Sequence, residues 1–182
     1  DGETLFTGVN INVNRGDKIA IISKNSKAIT SFFEVLNGKL KADSGEIKFG
    51  TTITTAYLPN HNHEFFDNDL RLVDWLRQYA QTDEEREEVH LRGFLGKMLF
   101  SGEEAMKSAR VLSGGEKVRC MLSRMMLAKA NVLMMDEPTN HLDLESITAL
   151  NNGMSDFPGT IIFTSHDHEL VNTVATRIIE IT

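Results

Sequence analysis

The sequence has 182 residues, 41% of them hydrophobic, enough to enclose a sizeable core in one compact domain or in a domain with a small inserted lobe; disordered and fibrous classes are excluded. A single cysteine, Cys120, accompanies 13 glycines and 3 prolines, which excludes a disulfide framework or a four-thiolate metal site within one chain and points to a reducing compartment. Nineteen basic against 26 acidic side chains give a formal charge of −7, which disfavours a general nucleic-acid coat but permits a local anion-binding patch.

Lys18 to Ser23, led by Gly16-Asp17, is a short apolar run with the pattern of a buried strand. From Thr30 the apolar residues Phe32, Phe33, Val35 and Leu36 recur at helical spacing up to Asn37-Gly38, a C-terminal stop. Gly45 to Gly50 and Thr54 to Pro59 read as short strands punctuated by glycine and proline. A helical middle section begins near Leu70, where Leu72, Leu76 and Tyr79 share one face and both Thr82 to Glu85 and Ser101 to Glu104 have capping-box form. The acidic run Asp83 to Glu88 reads as a solvated helix face. Then follow a helix from Ser113 to about Ala128, a strand from Asn131 to Met135, a helix from Leu144 to about Met154, a strand from Thr160 to Thr164, a helix from Asp167 to about Ala175 and a strand from Arg177 to Ile181. Such alternation predicts a parallel sheet covered on both faces. The longest apolar stretches fall far short of the roughly 20 residues of a bilayer span. No secretory leader pattern is present, so a cytoplasmic location without membrane contact is expected.

In a parallel sheet, ligands sit beyond the carboxyl ends of the strands, which directs attention to Ser23-Lys-Asn-Ser-Lys-Ala-Ile-Thr-Ser31. A phosphate-binding loop has Gly, four residues, Gly-Lys, then Ser or Thr; its amides cradle phosphates, its lysine reaches the terminal ones and its hydroxyl meets magnesium. Here Ser23 and Ala28 stand at the glycines, Ile29 at the lysine, and only the hydroxyl, Thr30, survives. Asn131 to Asp143 carries a more specific pattern. An apolar strand ends in adjacent carboxylates, Asp136 placed to reach a metal-bound water and Glu137 to polarise an attacking one. Leu112-Ser-Gly-Gly-Glu-Lys117 combines a capping box with a glycine pair at a helix start, where bare amides and the positive dipole end suit a phosphate. His166, in Thr164-Ser-His-Asp167, shares the rim of Asp136 and Glu137. His61, His63 and His90 read as surface residues and Cys120 as core.

Together these motifs resemble an ATP-binding cassette (ABC) ATPase domain, in order along nearly the whole chain: phosphate loop, Q-loop region, signature, Walker B strand, D-loop and switch histidine. Glu137 to Asp143 (Glu-Pro-Thr-Asn-His-Leu-Asp), Leu112 to Lys117 and the short lobe are similar to the ABC-F subfamily rather than to membrane transporters. Tyr57 to Phe66 and Asp69 to Leu76 resemble the second cassette of its YbiT/YkpA-like branch. The resemblance implies an α/β P-loop NTPase fold with a mostly parallel core (1–60 and 131–182), a helical signature lobe (61–130), and ATP and Mg2+ as cofactors. The implied partner is a second cassette, in the same full-length chain or a homodimer, and the ABC-F likeness implies the ribosome as a further one.

By position, the resemblance implies nucleotide binding by Ser23, Lys24, Asn25, Ser26, Lys27, Ala28, Ile29, Thr30 and Ser31, with Asn60 in the Q-loop glutamine position. Thr30, Asn60 and Asp136 would serve the metal, Glu137 would be the general base, and His166 would contact the terminal phosphate. Leu112, Ser113, Gly114, Gly115 and Glu116 would act in trans on ATP held by the partner, and His141, Leu142 and Asp143 would form the D-loop. The altered phosphate loop implies weak ATP binding by this chain's own site and hydrolysis only with a partner. A transporter ATPase subunit and a non-hydrolysing regulatory cassette are the competing readings.

Overall fold

The computed structural model describes residues 3–182; Asp1 and Gly2, the first two residues of the expected core, lie outside the described residues. Strands β1 (Lys18–Ser23), β2 (Thr55–Leu58), β3 (Val132–Asp136), β4 (Thr160–Thr164) and β5 (Arg177–Ile181) form one sheet in the order β2-β3-β4-β1-β5. Every pairing is parallel. The carboxyl ends Ser23, Leu58, Asp136, Thr164 and Ile181 therefore share one rim, as the spacing of strands and helices predicts.

Side-chain alternation divides the core between the two faces of the sheet. Ile19, Ile21, Met134 and Ile162 join Ala28, Ile29, Phe32 and Phe33 of α1 (Ser26–Leu36) in one cluster. Their neighbours Ala20, Met135, Ile161 and Phe163 join the opposite cluster with Met121, Leu150 and Leu170. Those last three come from α5 (Gly114–Leu127), α6 (Leu144–Asp156) and α7 (His168–Val174). Each buried Phe, Ile or Leu contributes about 1.5–3 kcal/mol by leaving water, so the strand pattern fixes which helix covers which face.

Between β2 and β3 the chain is helical: α2 (Leu72–Arg77), α3 (Asp83–Arg86), α4 (Glu88–Lys97) and then α5. Trp75 is fully buried there, stacked on Phe66 at 4.8 Å, and its indole N–H donates to the Phe65 carbonyl at 2.7 Å. Capping boxes open α3 (Thr82 with Glu85) and α5 (Ser113 with Glu116), and Glu104 accepts from the Ser101 amide at 3.3 Å, following the sequence pattern.

Three expectations need correction. Gly45 to Gly50 is not a strand: all six residues are exposed and none of them is paired to a neighbouring strand, and Gly45 turns the chain at φ +94°. Without a partner strand an extended run has nowhere to place its backbone N–H and C=O groups except water. Helix α1 begins at Ser26, a full turn before Thr30, because Asn25 caps it. The acidic run is not uniformly solvated: Glu85 is buried, bonded by Lys129 Nζ at 2.6 Å and by the Gln81 amide at 2.9 Å. Those bonds, that of Lys129 first, hold its carboxyl down at about 2.

Candidate functional site

The acidic centre forms where β3 ends. Asp136 is the last residue of that strand, in register with Thr164 of β4, and is 2% exposed. Its Oδ2 is buried without a hydrogen-bond partner. Burial first, and the Glu137 carboxylate next, push its pKa up to about 6 against the opposing hydrogen bond from the Thr30 hydroxyl. Glu137 adopts φ +52°, a conformation that turns the chain sharply out of the strand. It is only 8% exposed. Its Oε2 accepts from the His166 backbone amide at 3.1 Å, and its Oε1 lies 3.4 Å from His166 Nε2. The loops after β3 and β4 are further joined by the hydroxyls of Thr139 and Ser165, 3.0 Å apart. Asp136, Glu137 and His166 are thus brought to one place on the rim.

The expected phosphate loop lies on the same rim but has a different local structure. The Ser23 hydroxyl donates to the Ile181 carbonyl at 2.7 Å and accepts from the Asn25 amide at 3.1 Å. Asn25 Oδ1 accepts from the amides of Lys27 (3.0 Å) and Ala28 (3.4 Å), and the Asn25 carbonyl accepts from Ala28 and Ile29. The amides of Asn25, Lys27, Ala28 and Ile29 are therefore engaged by the chain itself. Lys24, Asn25, Ser26 and Lys27 are exposed, whereas Ala28 and Ile29 are buried in the α1 cluster. At the position of the missing lysine, the side chain faces the core. Thr30 and Ser31 line a cavity of about 480 Å³ with Ser26, Lys27, Asn60 and His61.

A second cavity of about 400 Å³ is lined by Thr30, Glu34, Tyr57, Asn60, His61 and Asp136, among others. Asn60 contributes to both cavities, and its Oδ1 accepts from Asn140 Nδ2 at 3.2 Å. Oxygen donors suit magnesium. Asp136, with its orphaned Oδ2, and the Thr30 hydroxyl fit that role; Asn60 is at hand, but its amide oxygen is already engaged by Asn140. Tyr57, Glu34 and Asn140 were not legible as site residues. Tyr57 sits in a half-buried strand, Glu34 looks like an ordinary helix residue, and Asn140 stands out only within the whole Glu137 to Asp143 motif. Burial, with Asp136 and Glu34 adding, pushes the Tyr57 hydroxyl above its ordinary range. His61 and His63 are exposed, as expected, but both line the second cavity.

Leu112, Ser113, Gly114, Gly115 and Glu116 stand apart, lining neither cavity. Ser113 caps α5, its hydroxyl accepting from the Glu116 amide at 3.2 Å, and Glu116 accepts from the Ser113 amide and from Lys107 Nζ, each at 2.8 Å. The two glycines lie against His141, which has φ +66°. Asp143 caps α6 by accepting from the Ser146 amide at 2.8 Å, a bond that holds its carboxyl below the usual range. Leu142 is half-buried between them. Cys120 is buried and its thiol pKa is raised by that burial, the state of an inert core cysteine.

A parallel sheet whose rim carries an Asp-Glu pair, with a glycine-paired helix start beside the following loop, is the architecture of ATP-binding cassettes. The chain belongs to the ABC transporter family, whose model matches residues 6–140. Members of this class are ATPases. The chain is 58% identical to the uncharacterized ABC transporter ATP-binding protein YkpA of Bacillus subtilis (strain 168) and 41% identical to the probable ATP-binding protein YbiT of Escherichia coli O157:H7, in each case over 100% of this chain and 34% of the relative. It thus spans about a third of the length of these curated relatives. The fold is also that of the cassette MJ0796, solved as a dimer in a post-hydrolysis state with ADP and Pi: TM-score 0.79 at 17% identity, covering 98% of this chain and 86% of that one. Among the described residues no helix is long and apolar enough to cross a membrane.

Proposed function

We propose that this chain is one cassette of an ABC-F-type ATPase, with a core of residues 1–60 and 131–182 and a helical signature lobe of 61–130, acting in company with a second cassette. The carrying observation is the buried Asp136-Glu137 pair, with Glu137 fixed by the loop of His166. Bound Mg-ATP supplies the electrophilic phosphorus and, through the ion, neutralises phosphate charge. Asp136 and Thr30 would hold the ion. Glu137, its Oε2 held by the His166 amide, would accept the proton of the attacking water at Oε1. His166, whose side chain is largely exposed, is free to turn toward a terminal phosphate.

The partner reading is supported by the face that carries the signature. Val111 and Leu144, immediately before the signature and after Asp143, are 70% and 80% exposed, an apolar pair beside a glycine-opened helix that a second cassette would cover. The self-capped turn at Asn25 and the buried Ile29 support weak binding of ATP by this chain's own loop. On this reading the productive site combines this chain's signature with the other cassette's phosphate loop. The ABC-F-like motifs Glu137 to Asp143 and Leu112 to Lys117, with the short lobe, support a ribosome-linked role over a transporter role. Substituting Ser113→Ala in the intact protein should then lower ATP hydrolysis strongly, while unchanged hydrolysis would refute the trans assignment. If Ser113→Ala abolishes hydrolysis but Glu137→Gln leaves it unchanged, the cassette serves only to complete the partner's site.

A further inference from the structure

Gly114 and Gly115 open α5, and neither has a positive φ, so backbone freedom does not explain them. Close approach does. An added Cβ at Gly115 would lie 2.6 Å from the His141 carbonyl oxygen, and one at Gly114 would lie 3.0 Å from His141 Cβ and 3.1 Å from its Cγ. His141 closes a short, tightly turned loop that starts at Glu137. The Asn140 amide donates to the Glu137 carbonyl at 3.1 Å, and the Leu142 amide donates to that of Thr139 at 3.2 Å. Glu137 and His141, at φ +52° and +66°, bracket this loop with two left-handed residues. Its other attachments are Thr139 to Ser165, Asn140 to Asn60, and Glu137 to the His166 amide.

We propose that the glycine pair and His141 form a joint that makes the first turn of α5 and the loop carrying Glu137 one mechanical unit, so that Gly115 and His141 are positioning residues for Glu137 in the same cassette. The contact is backbone against backbone at Gly115, where no rotamer can relieve it, and backbone against side chain at Gly114. A load on the start of α5, such as a phosphate presented by a partner, is passed through His141 and Asn140 to Glu137, and through Asn140 to Asn60. The catalytic consequence rests on the reading of Glu137 as general base; the mechanical joint does not.

Hydrogen exchange by mass spectrometry on the intact protein tests the joint directly. In Gly115→Ala, faster exchange is expected in 113–117 and also in 137–143 and 164–167. In Gly114→Ala a smaller change in the same segments is expected, and adding His141→Gly should reverse it, because only the side chain obstructs there. The same addition should leave Gly115→Ala unrescued, because the His141 carbonyl remains. Since misplacing a reacting group by about 1 Å can cost on the order of 100-fold, kcat for ATP should fall by about that factor in Gly115→Ala, with KM changing less. Exchange confined to 113–117, or equal rescue of both variants by His141→Gly, would overturn the proposal. Gly114→Ala carries the comparison alone if Gly115→Ala does not fold. Wild-type hydrolysis in Glu137→Gln would instead remove Glu137 as the base while leaving the exchange result standing.

Discussion

Position 29 is where a phosphate loop keeps its lysine, and restoring that residue is the obvious repair; the structure predicts that Ile29→Lys fails. Ile29 is 6% exposed and packs with Ile19, Ile21, Phe33, Met134 and Ile162. Removing it forfeits about 1.5–3 kcal/mol of burial. An ammonium in its place must either enter that apolar cluster unpaired, at a further cost of about 1 kcal/mol or more, or drag its stem out and leave a cavity. The expected loss is ~3 kcal/mol. For a domain of this size that is a downward shift of at least about 1 M in the urea midpoint, since the slope is at most roughly 3 kcal/mol/M. Meanwhile the Lys27 and Ala28 amides stay with Asn25, so no gain in Mg-ATP affinity is expected. Urea unfolding followed by Trp75 fluorescence, with calorimetric titration of the same sample, measures both quantities. An unchanged midpoint together with tight nucleotide binding would refute the placement of Ile29 in the core.

Asp136 gives a pH prediction with a definite sign. Its pKa, raised to about 6 in the folded state from about 3.9 unfolded, means that the folded state binds the extra proton between those values. Its contribution is therefore greatest below pH 4 and is lost as pH rises through 6, a change of about 2–3 kcal/mol. Asp136→Asn should flatten the stability profile across that window, measured by urea unfolding from pH 4 to 7.5; a mutant profile parallel to wild type would contradict it. Gly159→Ala should destabilise the chain by roughly 2–4 kcal/mol, because the new Cβ would lie 2.5 Å from the Phe157 ring and 2.4 Å from the Asn131 carbonyl oxygen, which accepts from the Thr160 amide at the start of β4. Thermal melting checks it, and a melting temperature within a degree of wild type would refute that packing.

The strands and the carboxylates were legible because their signals are local. Val132 to Met135 is apolar on both faces, as a central parallel strand must be, and the Asp-Glu pair follows it directly. The capping boxes at Thr82 and Ser113 were equally legible, being contained in four residues each. That Gly45 to Gly50 forms no strand was not legible, because strand formation depends on a partner that its own residues do not specify. The start of α1 was misplaced because apolar periodicity begins at Ile29 and Phe32, whereas the cap depends on Asn25, whose side chain competes for amides that the motif would assign to phosphate. Glu85 was hidden for a third reason: its partner Lys129 lies far along the chain, and a charge run read by composition gives no sign of which member is buried.

Whether the proposed closed phosphate loop still takes nucleotide is measured most directly by titrating the 182-residue chain with Mg-ATP in a calorimeter. Loss of the lysine's charge-assisted contacts, ~1.5–3 kcal/mol each, weakens binding about 10- to 100-fold, and the Asn25-engaged amides remove further donors. No saturable heat is expected at micromolar nucleotide. A low-micromolar Kd, with Lys24, Lys27 or freed loop amides supplying the missing contacts, would contradict it.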